Sequence, residues 1–144
     1  MALVRLIYTS KTNPAFAGNA LEQILESSRV NNSKQFITGC LFFNKNFIIQ
    51  YLEGGAVQVN QLYNRIVQDK RHTDIRLMDY AWIDKRLFAG WSMGFAADTT
   101  ATRKIFVNYA ETDSFNPLNL PVDAAIHLLR DLKDFAGAHQ TGQS

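Results

Sequence analysis

The sequence predicts an α+β fold: the ferredoxin-like βαββαβ order with an extra strand, two helices on one sheet face and C-terminal helices on the other. Three observations predict it. Segments of strand period and helix period alternate in that order along the chain, a hairpin signal stands at its middle, and a further amphipathic stretch follows the last strand. The chain has 144 residues, 47% hydrophobic and 19% charged, which suits one domain with a real core and is too apolar for disorder.

Leu3 to Thr9 alternates and is rich in branched and aromatic residues, so it reads as a strand with Val4, Leu6 and Tyr8 on one face. Asn13-Pro14 marks a turn. From Ala17 to Asn32, Leu21, Ile24 and Leu25 recur at helical spacing, and Ser28, Asn31 and Asn32 continue the same side, so this helix carries polar groups on its inner stripe. Ile37 to Phe43 and Phe47 to Glu53 are strand-like runs joined by Asn44-Lys45-Asn46, the length and chemistry of a hairpin connection. Val59, Leu62, Tyr63 and Ile66 mark a second amphipathic helix that ends near Asp69. A strand from Arg76 to Ile83 follows, then a short one around Ser92 to Ala96, along which Trp91 and Met93 alternate. Beyond it lie a weaker helix near Thr102 to Tyr109, the loop Ser114 to Pro121, and a clearer helix from Val122 to Phe135 with Ile126, Leu129 and Leu132 at helical spacing. The expected division is a core of residues 1–97, a helical extension of 98–136 and a flexible tail of 137–144.

The formal net charge is +2 and the basic residues are scattered along the chain, so nucleic acid is not implied. The strongest local group, Lys70, Arg71, His72 and Arg76, reads as a solvated helix end and loop. Cys40 is the single cysteine and sits in an apolar strand, which predicts a reducing, cytoplasmic setting. No signal segment or membrane-length apolar run is evident, so no membrane association is expected. His72, His127 and His139 do not stand at metal-ligand spacing, and Gly54-Gly55 lacks the Lys-Ser/Thr sequel of a phosphate loop. Catalytic turnover has no visible machinery.

What stands out is polarity on faces that should be apolar. Gln50 alternates with Ile48 and Leu52, and Tyr8 shares a face with Val4 and Leu6. A buried amide without partners costs about 1–3 kcal/mol, so each must be satisfied. One such residue is explained by a neighbour. Tyr8 and Gln50 together with Ser28, Asn31 and Asn32 call for a polar guest; Ile24 and Ile66, which on their own read as plain core, then offer two apolar jaws for a flat ring. Arg65 and Asp69, four apart, read either as a surface ion pair or as the rim of that cleft.

These residues carry a resemblance. Leu6-Ile7-Tyr8, the helix ending in Asn31-Asn32, Ile37-Thr38-Gly39, Gln50-Tyr51-Leu52-Glu53-Gly54, Asp69-Lys70-Arg71-His72 and Trp91-Ser92-Met93 together resemble the BLUF domain, the blue-light sensor that uses flavin, over about residues 3 to 97. The tail is similar to the helical extension of short stand-alone BLUF proteins. The resemblance implies noncovalent FAD near Tyr8, Gln50 and Asn32, with Asn31 and Asn32 on the ring's carbonyl and imide edge, Ile24 and Ile66 on its faces, Arg65 and Asp69 along its outer side, and Ser28 as a further contact. It also implies a switching group of Tyr8, Gln50 and Met93, with Trp91 able to exchange places with Met93. The implied output is a change in affinity for a downstream protein or for further copies of the chain as a homo-oligomer. The competing readings are an acylphosphatase-like enzyme on the same layout, with a phosphate held by an Arg and an Asn, which Ser10 to Asn13 oppose as a poor anion cradle after the first strand, and an RNA-binding sheet, which the charge opposes.

Overall fold

A computed structural model describes residues 2–13, 20–44, 46–112 and 116–139. Branched and aromatic residues at period 2 form five strands: β1 (Leu3–Thr12), β2 (Thr38–Phe43), β3 (Phe47–Gly55), β4 (His72–Ile83) and β5 (Gly94–Ala97). Amphipathic segments form α1 (Ala20–Gln35), α2 (Ala56–Val67), α3 (Thr100–Phe106) and α4 (Val122–His139), with a short 3-10 turn at Pro117–Asn119. The sheet order is β4-β1-β3-β2-β5, the ferredoxin-like order with β5 added at the β2 edge. The first four strands pair antiparallel and β5 runs parallel to β2.

Alternation along β1 and β3 sorts their side chains into two cores. Val4, Leu6 and Tyr8 join Ile48 and Leu52 of β3, Leu25 of α1 and Val59 of α2 on the first face. Ile7 and Tyr51 turn the other way and meet Phe106 of α3 with Ala125, Leu128, Leu129 and Leu132 of α4 on the second. Two helices therefore cover each face, as the sequence predicts. Close backbone packing fixes the β2–β3 ladder: a Cβ at Gly39 would lie 1.9 Å from the Tyr51 carbonyl oxygen.

Several boundaries move for local reasons. The first helix runs a turn past Asn32 to Gln35 and stops at Phe36, whose φ of 56° leaves the helical region. β4 begins at His72 rather than Arg76, because His72 pairs with Thr12 at the far end of β1. α3 starts at Thr100 rather than Thr102, since Thr99 and Thr102 form a reciprocal capping box. β5 starts at Gly94, two residues after the expected Ser92, and α4 continues to His139, past the expected start of the flexible tail. The Asn13-Pro14 turn, the predicted start of the first helix at Ala17, and residues 140–144 of the tail lie wholly or partly outside the described residues.

Candidate functional site

On the first face, α1 and α2 stand apart over the middle of the sheet, leaving a cleft of about 330 Å³. That volume lies at the small end of the range for small-molecule sites, roughly 300–1,000 Å³. β1 contributes Tyr8 and β3 contributes Gln50 to its floor, directly opposite each other in the antiparallel ladder. Both are buried, at 3% and 7% exposure. The Tyr8 hydroxyl donates to Gln50 Oε1, and Gln50 Nε2 reaches Met93 Sδ at 3.4 Å. A phenol, an amide and a thioether thus form one continuous chain across three segments of the fold.

The walls are mixed. Ile24 of α1 and Ile66 of α2 line the cleft from opposite helices, and Ser28, Asn31 and Asn32 bring the polar stripe of α1 to its edge. Asn32 is buried and its Nδ2 donates to the Ser92 carbonyl at 2.9 Å, while Asn31 is exposed at the mouth. Arg65 and Asp69 lie on the α2 side. They do not form the ion pair that their spacing offers. Asp69 is taken by Arg71, Oδ2 to Nη2 at 2.5 Å with Nε also in reach, because Asp69 falls beyond the end of α2 and the turn presents Arg71 to it. That hydrogen bond from Arg71 holds the Asp69 carboxyl below its usual range. The Tyr8 phenol is pushed the other way, chiefly by burial and further by the negative charge of Asp69, so it stays protonated.

Trp91 is the predicted residue that the structure does not bring here. Its ring packs against Phe88, centroids 5.9 Å apart, within the second-face core, while Met93 belongs to the first. The two do not alternate on one face because residues 91–93 precede β5 and follow Gly90, whose φ of 85° turns the chain. In this structure Met93, not Trp91, touches Gln50.

The cleft also contains a residue read from the sequence as part of a solvated basic group. His72 is 6% exposed and edge-on to Tyr8, with ring centroids 6.1 Å apart. Its Nε2 lies 2.8 Å from the Ile66 carbonyl and its Nδ1 2.7 Å from Ser10 Oγ. A carbonyl only accepts, so Nε2 carries the hydrogen, and in the neutral ring Nδ1 accepts from Ser10. A strand start three residues after Asp69, rather than seven, is the signal that would have found it.

These groups fit a flat heteroaromatic guest with a hydrogen-bonding edge. A side-chain amide has two donors and an acceptor. Asn32 spends one donor on Ser92, and the Gln50 donor meets only a weak thioether acceptor, which leaves amide capacity facing the cleft between two apolar walls. A flavin ring has that shape, with carbonyl and imide groups along one edge. Fold and cleft together define a ligand-binding module on a ferredoxin-like sheet, suited to a flat heteroaromatic ring, in which a phenol bonded to an amide forms the floor of the cleft. The chain belongs to the BLUF family: the family model described as "Sensors of blue-light using FAD" matches residues 3–94.

Relatives agree with that membership. The chain is 31% identical over 108 residues to the photoactivated adenylate cyclase subunit beta of Euglena gracilis, a match that covers 74% of this chain and 12% of that protein. The chain therefore spans about an eighth of that curated relative. Two solved structures match along nearly their whole length. "BlsA photo-activated state" has a TM-score of 0.83 at 32% identity, covering 90% of this chain and 94% of that one. "BlrB - a BLUF protein, dark state structure" has a TM-score of 0.76 at 29% identity, covering 94% and 97%. The domain is a flavin-binding blue-light sensor. The acylphosphatase-like alternative finds no support: Ser10 and Lys11, which the sequence reads as a poor anion cradle, are β1 residues paired with Ile48 of β3 and Thr73 of β4.

Proposed function

We propose that this chain is a blue-light receptor that holds FAD noncovalently between α1 and α2, with Tyr8, Gln50 and Met93 as its switching group. It acts without catalytic turnover, in a reducing cytoplasm, by changing its affinity for a protein partner or for other copies of itself. The observation that carries this reading is the unbroken contact chain from the Tyr8 hydroxyl through Gln50 to Met93 at the floor of the cleft.

Asn31 and Asn32 would hold the carbonyl and imide edge of the ring, Ile24 and Ile66 would press on its faces, Ser28 would lie beside it, and Arg65 and Asp69 would border its outer side; all seven line the cleft. The bound flavin supplies blue absorption and an excited state able to accept an electron. Tyr8 is the donor. A phenol that has lost an electron is a strong acid, and the Tyr8 hydroxyl already points at Gln50 Oε1, so its proton leaves along that bond. The Gln50 amide both accepts and donates, so it can relay the Tyr8 proton toward the flavin that would take the electron, and it rearranges as the proton passes. The rearranged amide no longer faces Met93 Sδ as before, and the contact between β3 and the segment ahead of β5 changes. The core of residues 1–97 is thus the sensing unit, and the helical extension of 98–136, packed on the opposite face, is the output.

The test is an absorption spectrum before and after blue illumination. Purified protein is expected to be yellow, to release FAD on denaturation, and to show a small red shift that reverses in the dark. Colourless protein that takes up no added FAD would sink the proposal.

A further inference from the structure

The second face has its own cavity. A gap of about 410 Å³ lies between the sheet, the β4–β5 connection and α4. Five of the chain's fifteen Lys and Arg residues line it, namely Arg5, Lys85, Arg86, Arg130 and Lys133, and among the described residues no Asp or Glu does. They come from three distant stretches of sequence, so the concentration is a product of the fold. On α4, Ile126, Arg130 and Lys133 stand at i, i+4 and i+7 and share one face.

Three of these cations are held in place. Arg5 pairs with Asp79 at 2.6 Å, Arg86 donates to Thr38 Oγ1 at 2.9 Å and to the Phe36 carbonyl at 2.7 Å, and Lys133 donates to the Leu87 carbonyl at 2.7 Å. Lys85 and Arg130 are exposed, and their side chains have no hydrogen bond or ion pair among the described residues. Asp79 offsets Arg5, and the buried Glu53 carboxylate is held by the backbone N–H groups of Leu87 and Phe88; the cations left over, Lys85 and Arg130 above all, repel one another and are favourably placed when an anion fills the gap. Guanidinium forks and ammonium groups together suit a multiply charged phosphate. The remaining wall, with Ile83, Leu87 and Ile126, is apolar and offers contact to an organic body. The volume is that of a small-molecule site.

We propose that the gap between the second sheet face and α4 is a binding site for a small organic phosphate, such as a nucleoside phosphate. The site is separate from the flavin cleft and independent of the photochemistry proposed for it. It joins the β4–β5 connection to α4, so an occupant bridges the sheet and the helical extension.

Calorimetric titration of the dark, flavin-loaded protein at low salt with ATP and with pyrophosphate tests this. The expected result is saturable one-to-one binding, ATP the tighter of the two. In Lys85→Gln/Arg130→Gln, ATP affinity falls at least tenfold while the flavin spectrum and the thermal midpoint stay unchanged. Arg65→Ala, on the other face, leaves ATP affinity intact. The absence of saturable binding, full affinity in the double variant, or loss in Arg65→Ala would each overturn the proposal. An oligoglutamate peptide that binds where ATP does not would overturn the small-ligand assignment.

Discussion

Tyr8 and Gln50 should behave as one energetic unit. In Tyr8→Phe the ring volume is kept but the donor is lost, and Gln50 Oε1 stays behind in a site 7% exposed to water. An orphaned buried acceptor costs about 1–3 kcal/mol. Gln50→Leu creates the reverse orphan, the Tyr8 hydroxyl, which is 3% exposed, at a similar cost of about 1–3 kcal/mol. Each single variant is then expected to melt roughly 3–15 °C lower, at about 3–5 °C per kcal/mol for a chain of this size. The double variant removes both polar partners and leaves apolar groups of similar shape, which can be nearly neutral, so its loss falls short of the summed single losses by at least about 1 kcal/mol. Urea unfolding of the four proteins in the dark, each saturated with flavin, measures the shortfall. Additivity within about 0.5 kcal/mol would refute the claim that the two groups satisfy each other. The spectra of the same proteins add a second readout, since either single substitution should abolish the light-induced shift.

Asn32→Ala removes the Ser92 contact and an amide at the cleft edge, and should weaken flavin affinity by about 1–3 kcal/mol, roughly five- to 150-fold, as measured by equilibrium dialysis. Burial pushes the Cys40 thiol up to about 12, from 9.0. The unfolded chain therefore ionises first, so stability is intact below about pH 9 and is lost as pH rises toward about 12, with Tyr8 adding in the same direction. A urea midpoint that stays flat from about pH 8 to 11 would contradict this. Phe36 is 78% exposed at a φ of 56°, so Phe36→Gly should raise stability by about 1 kcal/mol in the same unfolding assay by relieving left-handed strain. Gly39→Ala has no such latitude: its Cβ would meet the Tyr51 carbonyl at 1.9 Å, and loss of soluble folded protein is expected on gel filtration.

The parts legible in the sequence were those ruled by periodicity. Gln50 between Ile48 and Leu52, and Tyr8 beyond Leu6, face the cleft because a paired strand leaves side chains no other choice. Ser28, Asn31 and Asn32 line it because helical steps of three and four hold along α1. Periodicity fails where regular structure ends. Trp91 and Met93 are two apart, yet they lie on opposite faces because they precede β5. Asp69 lies past the end of α2, so spacing from Arg65 predicted a partner that the turn replaced with Arg71. His72 looked like one more surface charge until pairing with Thr12 drew it inward. The cationic gap on the second face is invisible in one dimension, since its members are scattered from Arg5 to Lys133.

The same failure of periodicity at residues 91–93 places this short segment where a change at the cleft can cross the sheet. Met93 meets Gln50 on one face, and Trp91 meets Phe88 on the other, where Lys133 of α4 stands over the Phe88 ring at 5.9 Å. Each of its three carbonyls is bonded from elsewhere in the fold, one from β2 and two from α1. Gly39 N donates to the Trp91 carbonyl at 2.9 Å, Asn32 Nδ2 to the Ser92 carbonyl at 2.9 Å, and Arg29 Nε to the Met93 carbonyl at 3.1 Å. Those carbonyls are consecutive, so Met93 cannot leave Gln50 by much without straining bonds to β2 and α1 together. A Cβ at Gly94 would overlap the Trp91 ring at 2.0 Å, so there is little slack on the second side either. A segment held this tightly does not deform by degrees. It keeps one arrangement or exchanges its set of partners for another, and such an exchange is what a two-state element requires.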